Sequence, residues 1–514
     1  MAAGWRAGAR AGNERCAGLQ AGISTMRVTT IAVVALALAC TAGVAARAVD
    51  APLIDAVKAG DAQAVRALLA DGVAVGTAEA DGTTALHWAA HHDRLDIVQL
   101  LLDAGAAADA TTRYGVTPLA LASLNGSTPM ITRLLEAGAD PNRANPEGET
   151  PLMTAARTGH GAAIDALLAH GADVDAVEEW RGQTALMWAA AQNQVTSVER
   201  LLAAGADPNA RSARGFTPVL FAAREGNVEV LAPLVRSGAD VDDVLPERGM
   251  SGLVLAVYNA QYDFAKALLD EGADPNASGN GWTALHQVVW TYRPNLGRNP
   301  PFPVPLGELD AFDMVRELAA AGADLNLRQT KEPRDGNRNV LNRIGSTAFL
   351  QAAKVADIEM MQLLVDLGAD PSITTEEGAT PLMAAAGVGI WKIGENPGTN
   401  EEALAAVELA WELGNDVNAV DVNGDTALHG AIHRGADNIV RFLVEKGANI
   451  DAVNENGWTA LSVAQGVFYP NTFNRHPELV DLLLDLGADP DAGTRRPEDL
   501  SPAERLALAE EQEQ

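Results

Sequence analysis

His87 and His91, and again His429 and His433, stand four residues apart, a spacing that on a helix can bring two imidazoles to one metal ion. Asp140, Asp173, Asp207, Asp240, Asp274, Asp324, Asp370 and Asp489 recur down the chain in a column that could offer calcium a ladder of oxygen donors. Gly387, Gly389 and Gly394 lie in Gly-Val-Gly-Ile-Trp-Lys-Ile-Gly, whose spacing is wrong for cradling a phosphate, so the stretch reads as a loop. The sequence has no Gly-x-Ser-x-Gly elbow, Walker-type phosphate loop, His-Glu-x-x-His or dinucleotide fingerprint, and enzymatic chemistry of those kinds finds no footing. Recognition is the other chemistry on offer. Trp290, Tyr292, Phe302, Trp391, Phe468, Tyr469 and Phe473 share short stretches with Arg293, Arg298, Arg328, Lys331, Arg334, Arg338, Arg343, Lys392 and Arg475. Aromatic and arginine side chains are the types that dominate binding hot spots.

The elements that must position these groups are short helices marked out by a repeat. Gly82, Gly115, Gly148, Gly182, Gly215, Gly249, Gly281, Gly345, Gly378, Gly424 and Gly457 each open a unit, mostly 32 to 34 residues after the last, and a period of that length means a solenoid. Thr84, Thr117, Thr150, Thr184, Thr217, Thr283, Thr347, Thr380, Thr426 and Thr459 follow, where a side-chain oxygen can cap the first amides of a helix. Pro118, Pro151, Pro218 and Pro381 come next, at the first helical position, where the missing N–H costs nothing. Second helices end in Gly105, Gly138, Gly171, Gly205, Gly238, Gly272, Gly322, Gly368, Gly414, Gly447 or Gly487, the left-handed stop that glycine adopts without strain. One acid per turn is what local capping of backbone amides requires, so the aspartate column is read as structural.

The pattern Gly-x-Thr-Pro-Leu-His-x-Ala-Ala, a turn, an x-x-Val-x-x-Leu-Leu helix and Gly-Ala-Asp-x-Asn, matched from about residue 51 to 491, resembles the ankyrin repeat family. The resemblance implies an all-α repeat solenoid of about twelve stacked ankyrin repeats, each a helix-turn-helix with a hairpin or loop, elongated and curved. It also implies that His87, His286 and His429, in the Thr-x-Leu-His slot, make a structural hydrogen bond to a neighbouring repeat, and that Trp88 and Trp188 fill an apolar core slot. No catalytic residue, cofactor site or metal ligand is assigned.

Residues 49–81 carry the second half of the pattern and read as an N-terminal capping repeat. Residues 82–280 read as regular repeats, and residues 281–491 as repeats with insertions at 291–309, 328–344, 388–401 and 466–476. Residues 492–514 read as a C-terminal capping helix and tail, because Ser501, Pro502 and Glu504 spell a capping box before Leu506 and Leu508. Three insertions lengthen the loop between paired helices on alternate repeats and leave from one edge. The fourth leaves from the hairpin edge, so the concave groove over the last repeats is expected to be walled on both sides.

From Met26 the chain reads Arg27, then an uncharged run from Val28 to Ala46 with its most apolar stretch from Ile31 to Cys40, then Arg47 and Ala48. Residues 26–48 therefore read as a cleavable signal peptide and residues 1–25 as translated upstream sequence. Lipid attachment at Cys40 is the alternative. The ten-residue apolar core is short of a membrane span, and no span is expected in the mature chain. Both cysteines, Cys16 and Cys40, lie in this leader, so no disulfide or thiol chemistry is expected beyond it. The formal charge is −31, which disfavours nucleic acid.

The sequence thus points to a periplasmic or secreted, monomeric, non-enzymatic protein that binds another protein through its concave face and hairpin tips. Candidate contact residues are Trp290, Tyr292, Arg293, Arg298, Arg334, Arg338, Arg343, Trp391, Lys392, Phe468, Tyr469, Phe473 and Arg475 in the insertions, with Tyr114, Trp180 and Arg181 at tips by family position. The second reading is a small anionic or aromatic ligand, bound and possibly turned over in a groove walled by the insertions.

Overall fold

In a computed structural model of the chain, the described residues are 51–293, 303–305, 307–332, 341–390, 397–466 and 476–493. The leader, the capping box at Ser501, and Arg298, Phe302, Arg334, Arg338, Trp391, Lys392, Phe468, Tyr469, Phe473 and Arg475 lie outside them.

The described helices form twelve successive antiparallel pairs. In the N-terminal half these are α1 (Pro52–Lys58) with α2 (Ala62–Ala70), α3 (Ala85–His91) with α4 (Leu95–Asp103), α5 (Pro118–Asn125) with α6 (Thr128–Glu136), and α7 (Pro151–Thr158) with α8 (Gly161–Ala169). They continue as α9 (Ala185–Ala191) with α10 (Val195–Ala203), α11 (Pro218–Glu225) with α12 (Leu231–Arg236), and α13 (Gly252–Tyr258) with α14 (Tyr262–Asp270). The C-terminal half has α15 (Ala284–Tyr292) with α16 (Ala311–Ala320), α17 (Ala348–Lys354) with α18 (Ile358–Asp366), and α19 (Pro381–Ala386) with α20 (Asn400–Glu412). It closes with α21 (Ala427–Arg434) paired to α22 (Asp437–Glu445), and α23 (Ala460–Ala464) paired to α24 (Pro477–Asp485). First helices pack on first helices and second on second along the stack, as in a solenoid. One hairpin closes as a two-stranded antiparallel ladder, β1 (Val244–Leu245) with β2 (Met250–Ser251), pairing Val244 with Ser251.

The helices begin where the sequence places them, and for the reason given. The hydroxyl of Thr117 accepts the Ala120 amide at 3.0 Å, that of Thr380 the Met383 amide at 3.1 Å, and that of Thr459 the Ser462 amide at 3.2 Å; each such cap contributes about 1 kcal/mol. Where the slot holds histidine, the imidazole completes the cap: His87 Nδ1 accepts the Thr84 amide at 3.2 Å and lies 2.8 Å from the Thr84 hydroxyl.

The aspartate column joins one repeat to the next. Asp140 accepts the amide of Asn142 two residues on, while its own amide donates to Asp109 at 3.0 Å. The same relation links Asp173 to Asn142, Asp240 to Asn209 and Asp370 to Asn326, and among the described residues no group of His, Cys, Asp or Glu is placed to hold a metal ion. One continuous apolar core runs the length of the stack, with Leu86, Leu119, Leu152, Leu220, Leu285, Phe349, Leu382 and Leu428 buried at the same position of successive first helices or next to it.

Candidate interaction surface

The residue that follows the histidine slot packs from each first helix toward the preceding hairpin, as Trp88 does on Glu79, Thr154 on Glu149, Phe221 on Phe216 and Gln287 on Trp282, and Trp88, Leu121 and Trp188 stay part-exposed there. From the second pair onward it is Trp88, Leu121, Thr154, Trp188, Phe221, Leu255, Gln287, Gln351, Ala384, Gly430 and Val463. Large and aromatic side chains occupy it in the N-terminal half, and small ones in the tenth and eleventh pairs.

Trp88 and Trp188 are half-buried against the core and form part of the groove floor, which corrects the reading of both as core residues. A cation lies on each ring: Lys58 Nζ is 4.4 Å from the Trp88 ring centre and the Arg157 guanidinium is 5.5 Å from that of Trp188. The Arg224 guanidinium likewise covers Phe221 at 5.0 Å. Such contacts are each worth about 0.5–1 kcal/mol when exposed. At the hairpin tips, Trp180 is 77% exposed and Tyr114 56%. Arg181 lies over Trp180 at 5.4 Å, and Arg113 lies over Tyr114 at 5.1 Å while donating to its hydroxyl at 3.0 Å. The tip residues expected from the sequence are therefore outward-facing aromatic–arginine pairs.

In the C-terminal half Arg343 and Trp290 turn inward, whereas Tyr292, Arg328 and Lys331 stay exposed. Arg343 has 5% of its side chain exposed, pairs with Glu332 at 2.9 Å and lies over Trp290 at 4.9 Å, while Trp290 packs edge-on against Trp282 at 5.6 Å. Tyr292 packs edge-on against Phe312 at 5.2 Å. Arg328 donates to the carbonyls of Gly345 and Thr374, and Lys331 to that of Gly279. Arg293 donates to the Ala356 carbonyl at 2.7 Å and to Glu402 at 2.7 Å, which joins the root of the eighth-pair insertion directly to the tenth pair. Of the described candidates in the insertions, Arg343 and Trp290 are thus engaged internally, so Arg343 is corrected from a contact residue to a strut.

The expected walls meet. Leu341, from the hairpin-edge insertion, lies so close to Gly389 that a Cβ there would sit 2.4 Å from the Leu341 Cβ. Gly389 has φ +82°, a conformation suited to glycine. A Cβ on Gly430 would sit 2.5 Å from the Val388 amide nitrogen, so the small residue at that groove position admits the segment Gly387 to Ile390. The groove of the tenth and eleventh pairs is filled by the chain itself. Beneath the fill is a cavity of about 40 Å³ lined by Leu341, Glu377, Ala379, Val388, Asp421, Asp425 and His433 among others. It holds a few waters, not the several hundred Å³ of a ligand site, and its charged lining is carboxylate. This cavity does not offer a site to the anionic or aromatic ligand considered from the sequence, and Arg298, Arg334, Arg338, Trp391 and Tyr469, named as walls for it, lie outside the described residues.

The slot histidines His87, His286 and His429 are structural. His286 is buried, takes the Thr283 amide on Nδ1 at 3.3 Å, and its Nε2 lies 3.2 Å from the Ser346 carbonyl in the next repeat; His429 reaches the Trp458 carbonyl at 3.1 Å. An Nδ1 that receives an amide cannot carry a proton, so the neutral Nε2–H form fits this pattern. Burial accordingly pushes the His286 pKa down to about 4 and that of His433 to about 3. Sequence reasoning missed the groove residues because it assigned their slot to the core; the change from Trp to Gly at one register position was the available signal.

The fold and this surface define a helical-repeat protein with a groove and projecting hairpin tips. A family model described as ankyrin repeats, three copies, matches residues 53–145, 134–212, 197–278, 219–296 and 399–494. The chain belongs to the ankyrin repeat family. It is 36% identical over 217 residues to Ankyrin repeat and SOCS box protein 16 of Homo sapiens, covering 42% of each chain, so it spans less than half of that relative. It is 29% identical over 187 residues to the ankyrin repeat protein YahD of Escherichia coli (strain K12), covering 32% of this chain and 87% of that one. The crystal structure of the human ASB11 ankyrin repeat domain is similar to 44% of the chain at 30% identity, with a TM-score of 0.40, and 99% of that domain is covered. Among the described residues no helix is long and apolar enough to cross a membrane.

Proposed function

We propose that this chain is a non-enzymatic protein-binding solenoid whose contact surface is the groove and hairpin tips of the N-terminal half. Ankyrin repeat proteins generally mediate protein–protein interaction, and that is the class to which the chain is assigned. The observation that carries the assignment to one half is the pair of exposed tips, Trp180 with Arg181 and Tyr114 with Arg113, beside an open groove. A tryptophan that is three-quarters exposed is costly to leave in water and is of the type that anchors interfaces.

The protein acts outside the cytoplasm in this reading, in the periplasm or secreted, because of the sequence of residues 26–48; attachment through Cys40 is the variant of it. N-terminal sequencing of the exported protein tests this, since a start at Val49 supports cleavage and a start at a modified Cys40 supports the lipid anchor. The functional test is an affinity pull-down from native extract with the chain from Val49, alongside a Tyr114→Ala/Trp180→Ala variant and a Tyr292→Ala/Arg293→Ala variant. Loss of a specific protein in the first variant alone supports the proposal. Loss in the second alone places recognition on the inserted half, and capture of no protein by the wild type removes the proposal's support.

A further inference from the structure

Two tryptophans occupy the same groove slot and differ in one respect. The Trp88 indole N–H donates to Glu79 at 2.9 Å, Glu79 also takes Lys58 at 2.5 Å, and His92 stacks on the ring at 5.7 Å. The indole N–H and the Lys58 ammonium thus both end on Glu79. The Trp188 indole N–H has no acceptor, and neither has the Nε–H of Arg157, which lies across the Trp188 ring; both nitrogens are shielded from water. The nearest counterpart of Glu79 in this hairpin is Glu178, which is 5% exposed. Its carboxylate is turned into its own loop, where it receives the amides of Trp180, Arg181 and Gln183. Glu149, the acid closest to Arg157, is 3.4 Å from Nη2 and already accepts the Thr154 hydroxyl at 2.7 Å.

A shielded donor without an acceptor costs about 1–3 kcal/mol, and here two lie side by side, one of them charged. Arg157 keeps 25% of its side chain exposed, so it is reachable from the groove, and its flexible stem lets it swing off the ring it covers. We infer that the groove between the fourth and sixth pairs accepts an acidic, extended segment of a partner protein, with one Asp or Glu carboxylate taking Arg157 and the Trp188 indole N–H. A carboxylate fits better than a carbonyl because a charge-assisted bond is about twice as strong as a neutral one. Extended chain advances about 3.3 Å per residue and packed helices lie about 10 Å apart, so acids at every third position fall in register with successive repeats. The inference rests on the protein-binding reading above and names the chemistry of the partner.

The test is fluorescence anisotropy with a labelled, C-terminally amidated Gly-Ser peptide carrying Glu at every third position, its Gln and Lys counterparts, and a single-stranded oligonucleotide. The wild type is expected to bind the Glu peptide about tenfold tighter than the Gln peptide, the size of one good charge-assisted bond. Arg157→Gln removes that preference and Trp188→Phe, which replaces the indole by a phenyl ring without the N–H, weakens it, while Trp411→Phe in the C-terminal half leaves it unchanged. In an indole 15N–1H spectrum the peak lost in Trp188→Phe is the one that moves when the Glu peptide is added to the wild type. Equal binding of Glu and Gln peptides, no binding of the Glu peptide, tighter binding of the Lys peptide or oligonucleotide, or a Trp188→Phe variant that binds as the wild type does would each overturn the inference. Capture in the pull-down of a protein with no acidic segment would sink this inference and leave protein binding standing.

Discussion

The two halves of this solenoid use one scaffold in opposite ways. In the N-terminal half the groove position carries Trp88, Trp188 and Phe221, and aromatic–arginine pairs face outward at the tips. In the C-terminal half the same position shrinks to Ala384 and Gly430, and Val388, Ile390 and Leu341 occupy the space. Arg343, Arg293 and Arg328 there meet Glu332, Glu402 and backbone carbonyls. The difference teaches that an insertion rich in arginine and aromatic residues need not be a binding site: it can be the ligand of its own groove.

The comparison is broken most forcibly by Gly430→Trp, which gives the eleventh pair the N-terminal kind of groove residue. The ring meets the Val388 backbone, and a loss of about 3 kcal/mol is expected, read as increased hydrogen exchange confined to the tenth and eleventh pairs. An unchanged exchange pattern there would mean that the fill is not packed as described.

Acid should separate the halves next. His286 titrates at about 4 and His433 at about 3 in the folded chain, against 6.5 ordinarily. Their folded pKa values are depressed, so the stability they hold is complete above about pH 6.5 and is lost as pH falls through 4 and then 3. Those depressions correspond to at most about 3 kcal/mol for His286 and about 5 kcal/mol for His433. Urea unfolding at pH 7 and pH 4.5 is expected to show the larger loss in the C-terminal repeats, and a His286→Gln variant should lose less between the two conditions than the wild type does.

The double variant Tyr114→Ala/Trp180→Ala sharpens the contrast from the other side. Partner affinity should fall about tenfold or more, while the unfolding midpoint stays within about 0.5 kcal/mol of wild type, as for exposed positions generally. A comparable loss of stability would make these tips structural. The smallest effect separates the two groove tryptophans: Trp88→Phe should cost about 1 kcal/mol by leaving Glu79 without its indole donor, whereas Trp188→Phe should be neutral or slightly stabilising because it deletes a donor that has no acceptor. Denaturant titration of the pair decides it.

Much of this is legible in the order of the amino acids. Thr117, Thr150 and Thr380 announce helix starts because capping is a local event, settled within four residues, and Gly138 or Gly447 announces a stop for the same reason. The groove was not legible, because what covers Gly430 comes from Val388 in the preceding repeat, and what meets Gly389 is Leu341, some fifty residues earlier. Arg293 could not be told from a ligand-binding arginine, because its carboxylate, Glu402, is 109 residues away. Burial of Arg343 depends likewise on Trp290, which lies far earlier in the chain.

The side-chain rungs between repeats carry a consequence for how such a chain can change over generations. Donor and acceptor recur in the same register at Asp140 on Asp109, Asp173 on Asn142, Asp207 on Asp175, Asp240 on Asn209 and Asp274 on Asp242. Each coupling is interchangeable with its neighbours, so an in-frame duplication or deletion of one whole unit leaves every remaining unit with a matching socket. The N-terminal half can lengthen or shorten by genetic accident and still close. The C-terminal half cannot, because the bond from Arg293 to Glu402 counts the units between them.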